Sequence, residues 1–264
     1  MRGAVVASPL LSIEGLTKRF GGVIASDDIT LDIAGGELHA IIGPNGAGKT
    51  TLIGQLSGEL VPDAGRVFFD GQDITALPPY TRSALGLGRT FQITSLFPDF
   101  TALDNVALAV QAHDGHSFHF WRDARQEREL REPARAALAR AGLSHRADEV
   151  VANMSHGEHR QLELAMALAT KTRLLLLDEP MAGLGPEESS RMVKTLQELK
   201  QEITILLIEH DMEAVFALAD RIAVLVYGRV IASGAPDTIR ANAEVREAYL
   251  GEQEAVSAPG AGHG

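Results

Sequence analysis

Gly43-Pro44-Asn45-Gly46-Ala47-Gly48-Lys49-Thr50 lies between an aliphatic run at residues 38–42 and a stretch of helical character at 51–56. It satisfies G-x-x-x-x-G-K-[ST] at every fixed position, and it does so where that pattern has a physical meaning, between a strand and a helix. Glycines let the backbone curl until successive N–H groups point inward at phosphate oxygens. The helix start behind them adds a partial positive charge. Lys49 is placed to reach β- and γ-phosphates, and the Thr50 hydroxyl is a ligand for Mg²⁺. The expected nucleotide-binding set is therefore Gly43, Pro44, Asn45, Gly46, Ala47, Gly48, Lys49, Thr50 and Thr51.

Outward from this loop the chain alternates. Strand-like runs fall at 38–42, 66–69, 174–177, 204–208 and 222–226. Several are continuously aliphatic, the mark of strands covered on both faces in a parallel sheet. Gly185-Pro186-Glu187-Glu188 reads as a helix start, with proline first and acids in the first turn; Met192, Leu196 and Leu199 follow at helical spacing. Gly234-Ala235-Pro236-Asp237 opens a shorter helix. Residues 10–73 hold short strands and the turn signals Gly35-Gly36 and Asp70-Gly71, which suggests a small antiparallel sheet. Residues 94–169 read as mostly helical.

The run Leu174-Leu175-Leu176-Leu177-Asp178-Glu179 describes a buried strand ending in two acids, its tip expected beside the glycine loop. In P-loop NTPases an acid after such a strand serves the Mg²⁺ shell, which assigns Asp178. Glu179, one step further, is the candidate general base that polarises an attacking water. Without the loop, two acids after a strand would read only as a solvated turn.

Composition narrows the classes. The chain has 264 residues, 45% of them hydrophobic, enough for one large α/β domain or two small ones. A net charge of −11 argues against binding nucleic acid through its phosphate backbone. There is no cysteine, so disulfides, thiolate metal sites and a cysteine nucleophile are excluded. No run approaches the ~20 apolar residues of a membrane span, and the N-terminal apolar run is too short for a secretory signal.

The segment Met154-Ser155-His156-Gly157-Glu158-His159-Arg160-Gln161 makes the resemblance specific. It resembles the LSGGQ signature of ATP-binding-cassette (ABC) ATPases. Arg89-Thr90-Phe91-Gln92 looks like that family's Q-loop, Ala182-Gly183-Leu184-Gly185 like its D-loop, and Glu209-His210-Asp211 like its switch-histidine region. All stand in the family's order over about residues 10–250. Gly88-Arg89-Thr90-Phe91-Gln92, the Ser-His-Gly-Glu form of the signature, Ile208-Glu209-His210-Asp211-Met212 and Ala248-Tyr249-Leu250-Gly251 resemble the branched-chain amino acid importer ATPases in particular.

Ser155 and Glu158 also have the S-x-x-E form of a capping box opening a helix. The resemblance adds that this helix tip faces the γ-phosphate held by a second copy's loop, with Ser155 and Gly157 as contacts. His156 and Glu158 depart from the pattern, standing where the family has glycine and glutamine. By the same resemblance Gln92 contacts Mg²⁺ and the attacking water, and His210 hydrogen-bonds the γ-phosphate. Phe20, 23 residues before Gly43, has two readings: a core side chain, or the family's aromatic that stacks on adenine.

Residues 122–140 are amphipathic, with Leu130, Ala134, Ala137, Leu138 and Ala141 on one side, and Pro133 reads as a helix start or kink. Phe118, Phe120 and Trp121 form an aromatic cluster that packs within the helical region or lines a groove for a membrane partner. His113, His116 and His119 read as a solvated loop rather than a metal cluster.

The expected fold is α/β: a P-loop NTPase of ABC-ATPase type with a parallel-sheet core, an N-terminal antiparallel β subdomain and a helical subdomain. Its expected bounds are one domain over 10–250, with 10–92 and 171–250 as nucleotide-binding core, 93–170 as helical subdomain, and flexible termini at 1–9 and 252–264. The resemblance implies an ATPase subunit of an importer, using ATP and Mg²⁺. It implies a head-to-tail dimer with a second copy or paralogue and two integral-membrane permease subunits. A solute-binding protein takes part indirectly, nucleic acid does not, and the chain sits peripherally on the cytoplasmic face of the inner membrane. The alternatives are a non-transport ABC ATPase and a small-molecule P-loop kinase.

Overall fold

All the side chains of Leu38-His39-Ala40-Ile41-Ile42 are buried, as in a doubly covered strand, and the one polar side chain, His39, has its Nδ1 2.9 Å from Glu37. The computed structural model describes residues 8–89, 96–114 and 128–248. The expectations placed on Thr90, Phe91, Gln92, His116, Phe118, His119, Phe120, Trp121, Tyr249, Leu250, Gly251 and nearly all of the two termini lie outside those residues.

In chain order the elements are β1 (Leu11–Phe20), β2 (Val23–Ile33), β3 (Leu38–Ile42), α1 (Lys49–Ser57), β4 (Ala64–Phe69), β5 (Gln72–Asp73), α2 (Pro79–Ala84), β6 (Leu87–Arg89), α3 (Ala102–Asp114), α4 (Arg128–Arg140), α5 (His156–Leu168), β7 (Leu174–Asp178), α6 (Pro186–Leu199), β8 (Thr204–Ile208), α7 (Met212–Leu218), β9 (Arg221–Val226), β10 (Arg229–Gly234) and α8 (Pro236–Ala241). They fall into two compact units. One comprises residues up to Leu56, Leu60–Thr75 and everything from Ile208; the other comprises Ser57–Glu59 and Ala76–Leu207.

The first unit contains the expected antiparallel sheet, in the order β2-β1-β4-β5. Leu11, Ile13 and Leu16 of β1 are buried opposite Ile33, Leu31 and Ile29 of β2, with Val67 and Phe69 of β4 on the other side. This period-2 inward face is the unit's core. At the β4–β5 hairpin Asp70 and Gly71 both have positive φ, 51° and 76°, the type I′ requirement that an Asp-Gly pair meets at low cost. In the same unit β3 pairs in parallel with β9, and β10 returns antiparallel to β9.

In the second unit β8, β7 and β6 lie side by side, with β6 and β7 parallel. β7 and β8 are buried throughout, again as their aliphatic runs require. Helix α3 packs on α4 and α5. Leu130, Ala134, Ala137, Leu138 and Ala141 are buried together, which is the apolar side the spacing predicts. Pro133 lies inside α4 near its described start, where its missing N–H removes one helical bond. Helix α6 opens at Gly185 with Pro186 first and two acids in its first turn, the arrangement read from the sequence. Among the described residues no helix is long and apolar enough to cross a membrane.

Candidate functional site

In the first unit the chain leaves β3 into the glycine loop and enters α1 at Lys49. Gly48 has φ +104°, and a Cβ there would run into the carbonyl oxygen of Ala25, so only glycine fits. Lys49 is 8% exposed, and its ammonium donates to the carbonyls of Gly43 (2.6 Å) and Pro44 (2.9 Å). The Leu52 N–H donates to the Gly48 carbonyl at 2.9 Å and starts the helix. Asn45, Gly46 and Thr50 are exposed.

The loop is braced from the β9–β10 turn. Tyr227 and Gly228 take φ 48° and 79°, closing a tight hairpin. The Gly228 N–H donates to the Ala47 carbonyl at 2.9 Å, and the Gly228 carbonyl accepts from the Asp27 N–H at 2.8 Å. Arg229 pairs with the Asp27 carboxylate at 2.7 Å.

Phe20 ends β1 and is 47% exposed, so it is not a core side chain. The Lys18 ammonium sits 5.6 Å from its ring centroid and donates to the Val61 carbonyl (2.8 Å) and Asp63 (2.9 Å). The Arg19 N–H donates to the other Asp63 oxygen at 2.7 Å. These hydrogen bonds, Lys18's foremost, hold the Asp63 carboxyl below its ordinary range.

His210 follows β8 on a doubly braced corner. The buried Glu209 carboxylate accepts from the His210 N–H (3.0 Å) and the Asp211 N–H (3.4 Å). Asp211 then caps α7, accepting from the N–H groups of Glu213 and Ala214. The His210 side chain is 62% exposed.

In the second unit β7 delivers Asp178, 5% exposed, and then Glu179 at φ +50°. A non-glycine residue held left-handed is uncommon, and such strain concentrates at functional sites. Among the described residues no cluster of three His, Asp or Glu offers a ready-made metal cage. Thr50 in the first unit and Asp178 in the second each carry an oxygen of the hard kind that Mg²⁺ accepts.

The expected capping box is formed. The Ser155 Oγ accepts from the Glu158 N–H at 3.2 Å, and Glu158 Oε2 accepts from the Ser155 N–H at 2.8 Å. Arg146 Nε–H donates to Glu158 Oε1 at 2.6 Å. Burial pushes the Glu158 carboxyl up, but the Ser155 N–H, the Arg146 hydrogen bond and the Arg146 and His145 charges outweigh it and lower it. Gly157 is buried. His156 is exposed, its Nε2 about 3.5 Å from where a Cβ on Gly183 would stand.

A second feature of this unit is an apolar groove of ≈ 430 Å³ between α2, β6, α3 and α5, lined in part by Tyr80, Leu87, Ala109, Met166 and Ala167. At its edge Arg89 donates to the Ser57 hydroxyl at 3.1 Å and pairs with Glu59.

The cradle, Phe20 and His210 thus belong to one unit; Asp178, Glu179, Ser155 and Gly157 belong to the other. Sequence reading missed two carboxylates. Glu209 was read only as part of the switch-histidine segment; its burial and its hold on the His210 and Asp211 N–H groups depend on the corner around it. Glu188 was legible only as a first-turn acid of α6, yet its carboxylate accepts from the Ser155 hydroxyl at 3.3 Å.

The family description "ABC transporter" matches residues 26–182, and "Branched-chain amino acid ATP-binding cassette transporter" matches residues 229–255. The chain is 39% identical over 254 residues to the high-affinity branched-chain amino acid transport ATP-binding protein BraF of Pseudomonas aeruginosa, covering 94% of this chain and all of that protein. It is similar to the ADP conformation of an ATP-binding cassette of an ABC transporter: TM-score 0.81, 32% identity, covering 92% of this chain and 98% of that one. It is also similar to a dimeric cassette in a post-hydrolysis state bound to ADP and Pi: TM-score 0.71, 25% identity, covering 86% and 98%.

Proposed function

This chain belongs to the ABC transporter family, and from that premise we propose that it is the ATP-hydrolysing subunit of an importer of branched-chain amino acids. Support for the solute comes from the BraF relative and from the match over residues 229–255. The observation that carries the reading is one chain holding both a glycine loop of phosphate-cradle form and a capped helix tip, which we read as two complementary phosphate grips. One is a glycine cradle closed by Lys49; the other is a helix tip capped by Ser155 with Gly157 beside it.

In this mechanism the loop N–H groups from Gly43 to Thr51 and the Lys49 ammonium hold the β- and γ-phosphates. Phe20 offers an exposed ring to adenine. Thr50, Asp178 and Gln92 would hold Mg²⁺, which screens phosphate charge when bound. Glu179 takes the proton of the attacking water, and His210 steadies the γ-phosphate. Ser155 and Gly157 face the γ-phosphate of a second copy or a paralogue, so each nucleotide is gripped from two chains. Closure is driven by ATP's greater affinity for the closed pair. The solved cassette dimer with ADP and Pi supports such a pairing. Residues 10–250 act as one domain in this reading.

The apolar groove beside Arg89 is the surface we assign to a membrane permease subunit, with a second permease on the paired cassette. A solute-binding protein then acts only through the permeases, and the chain lies on the cytoplasmic face of the membrane.

The test is uptake of leucine by proteoliposomes holding this chain with its membrane subunits and ATP. Glu179→Gln is expected to keep nucleotide binding, slow hydrolysis by about 10²-fold or more and stop uptake. Hydrolysis at the normal rate in that variant removes Glu179 as base. Leucine uptake that persists in it removes the transport reading.

A further inference from the structure

Glu188 is the third residue of α6, and its two carboxylate oxygens serve different partners. Oε2 accepts from the Gly185 N–H at 3.3 Å and caps its own helix. Oε1 accepts from the Ser155 hydroxyl at 3.3 Å and lies against Gly157, where a Cβ would run into it. A carboxylate therefore rests on the two residues to which the proposed function gives a phosphate. Beside it opens a cavity of ≈ 140 Å³ lined by Glu188, His145 and Arg191, the last three residues further along α6.

We propose that Glu188 is a resident anion at the tip of α5, a built-in competitor that the nucleotide's terminal phosphate must displace as two copies close. The proposal rests on reading Ser155 and Gly157 as phosphate-facing. Two anions on one helix tip repel each other directly, and the tip's single partial positive charge compensates only part of their combined charge. The adjoining cavity gives the displaced side chain room, and Arg191 supplies a cation within it. Closure then demands more ATP than the two grips alone require. Glu188 is a positioning residue in this scheme, setting the ATP threshold of pairing without touching the reacting atoms.

Glutamine at the same position keeps the hydrogen-bonding shape of a capping box and removes the charge. The full chain carrying Glu179→Gln, so that ATP is not consumed, is titrated with MgATP and its dimer fraction read by light scattering. Adding Glu188→Gln is expected to lower the ATP concentration for half-dimerisation by about two- to fivefold, with a fall in melting temperature no larger than the loss of one helix-terminus charge gives. An unchanged or raised requirement overturns the proposal, as does a fall in melting temperature that accounts for the change. Ser155→Arg in the same background separates the two levels. If it abolishes pairing while Glu188→Gln shifts nothing, only the role of Glu188 fails. If Ser155→Arg pairs at the parent's ATP concentration, or the parent stays monomeric at saturating ATP, the phosphate-facing reading fails and takes this proposal with it.

Discussion

Arg146 holds Glu158 by a 2.6 Å hydrogen bond while the other Glu158 oxygen caps Ser155 at 2.8 Å. The Glu158 carboxyl is depressed below its ordinary value of 4.5. A depressed carboxylate contributes stability that is fully present above the ordinary value. That contribution is lost as pH falls through the folded-state value, because the unfolded chain binds the proton first. Glu158→Gln keeps the cap and removes the charge that faces Arg146, so it should cost roughly 0.2–1 kcal/mol at neutral pH, the range for partly exposed ion pairs. The cost should shrink on acidification below the ordinary carboxylate range. Urea melts of both proteins near neutrality and at about pH 3.5 check it; a difference that does not shrink contradicts the charge assignment.

Lys49→Ala should weaken nucleotide binding itself. Hydrogen bonds to a charged group contribute about 1.5–3 kcal/mol, so Kd for ATP should rise roughly tenfold or more. Titration with a fluorescent ATP analogue measures this, and unaltered affinity would take Lys49 out of the phosphate shell.

Gly48→Ala places a methyl against the Ala25 carbonyl at a backbone angle that L side chains rarely adopt. Strain of this kind costs about 1–3 kcal/mol. The melting midpoint should fall and ATP binding with it. A variant that melts like the parent would mean the loop and β2 are not in contact there.

Phe20→Ala separates affinity from stability. Its ring is half exposed, so folding stability should change little. ATP affinity should drop by a factor consistent with about 0.5–1.5 kcal/mol of ring stacking. A loss of stability without a loss of affinity would return Phe20 to a packing role.

The parts legible in the sequence are those written locally. The aliphatic run before Gly43 forces a buried strand, and Ser155 with Glu158 forces a capped helix, because each needs only neighbours within a turn or two. Pro186 after Gly185 marks its helix start for the same reason. Relations across the chain were not legible. Ser155 and Glu188 are 33 residues apart, and only the packed geometry brings hydroxyl to carboxylate. The exposure of Phe20 depends on where the β1 end meets Asp63, a partner 44 residues on from Arg19. The left-handed angle at Glu179 has no local marker, since glutamate does not favour it. Gln92 was legible as part of a motif, and its placement falls outside the described residues.

The bond from Gly228 to Ala47 ties the curl of the glycine loop to a turn far later in the chain, and the bond from Asp27 to Gly228 ties that turn to β2. The cradle is consequently a tertiary object. A peptide copied from β3 through α1 would carry every letter of the motif and none of its scaffolding, and it should show no measurable grip on triphosphate. If the brace is needed, nascent chains arrested before the β9–β10 hairpin should not capture nucleotide, whereas released full-length chains should.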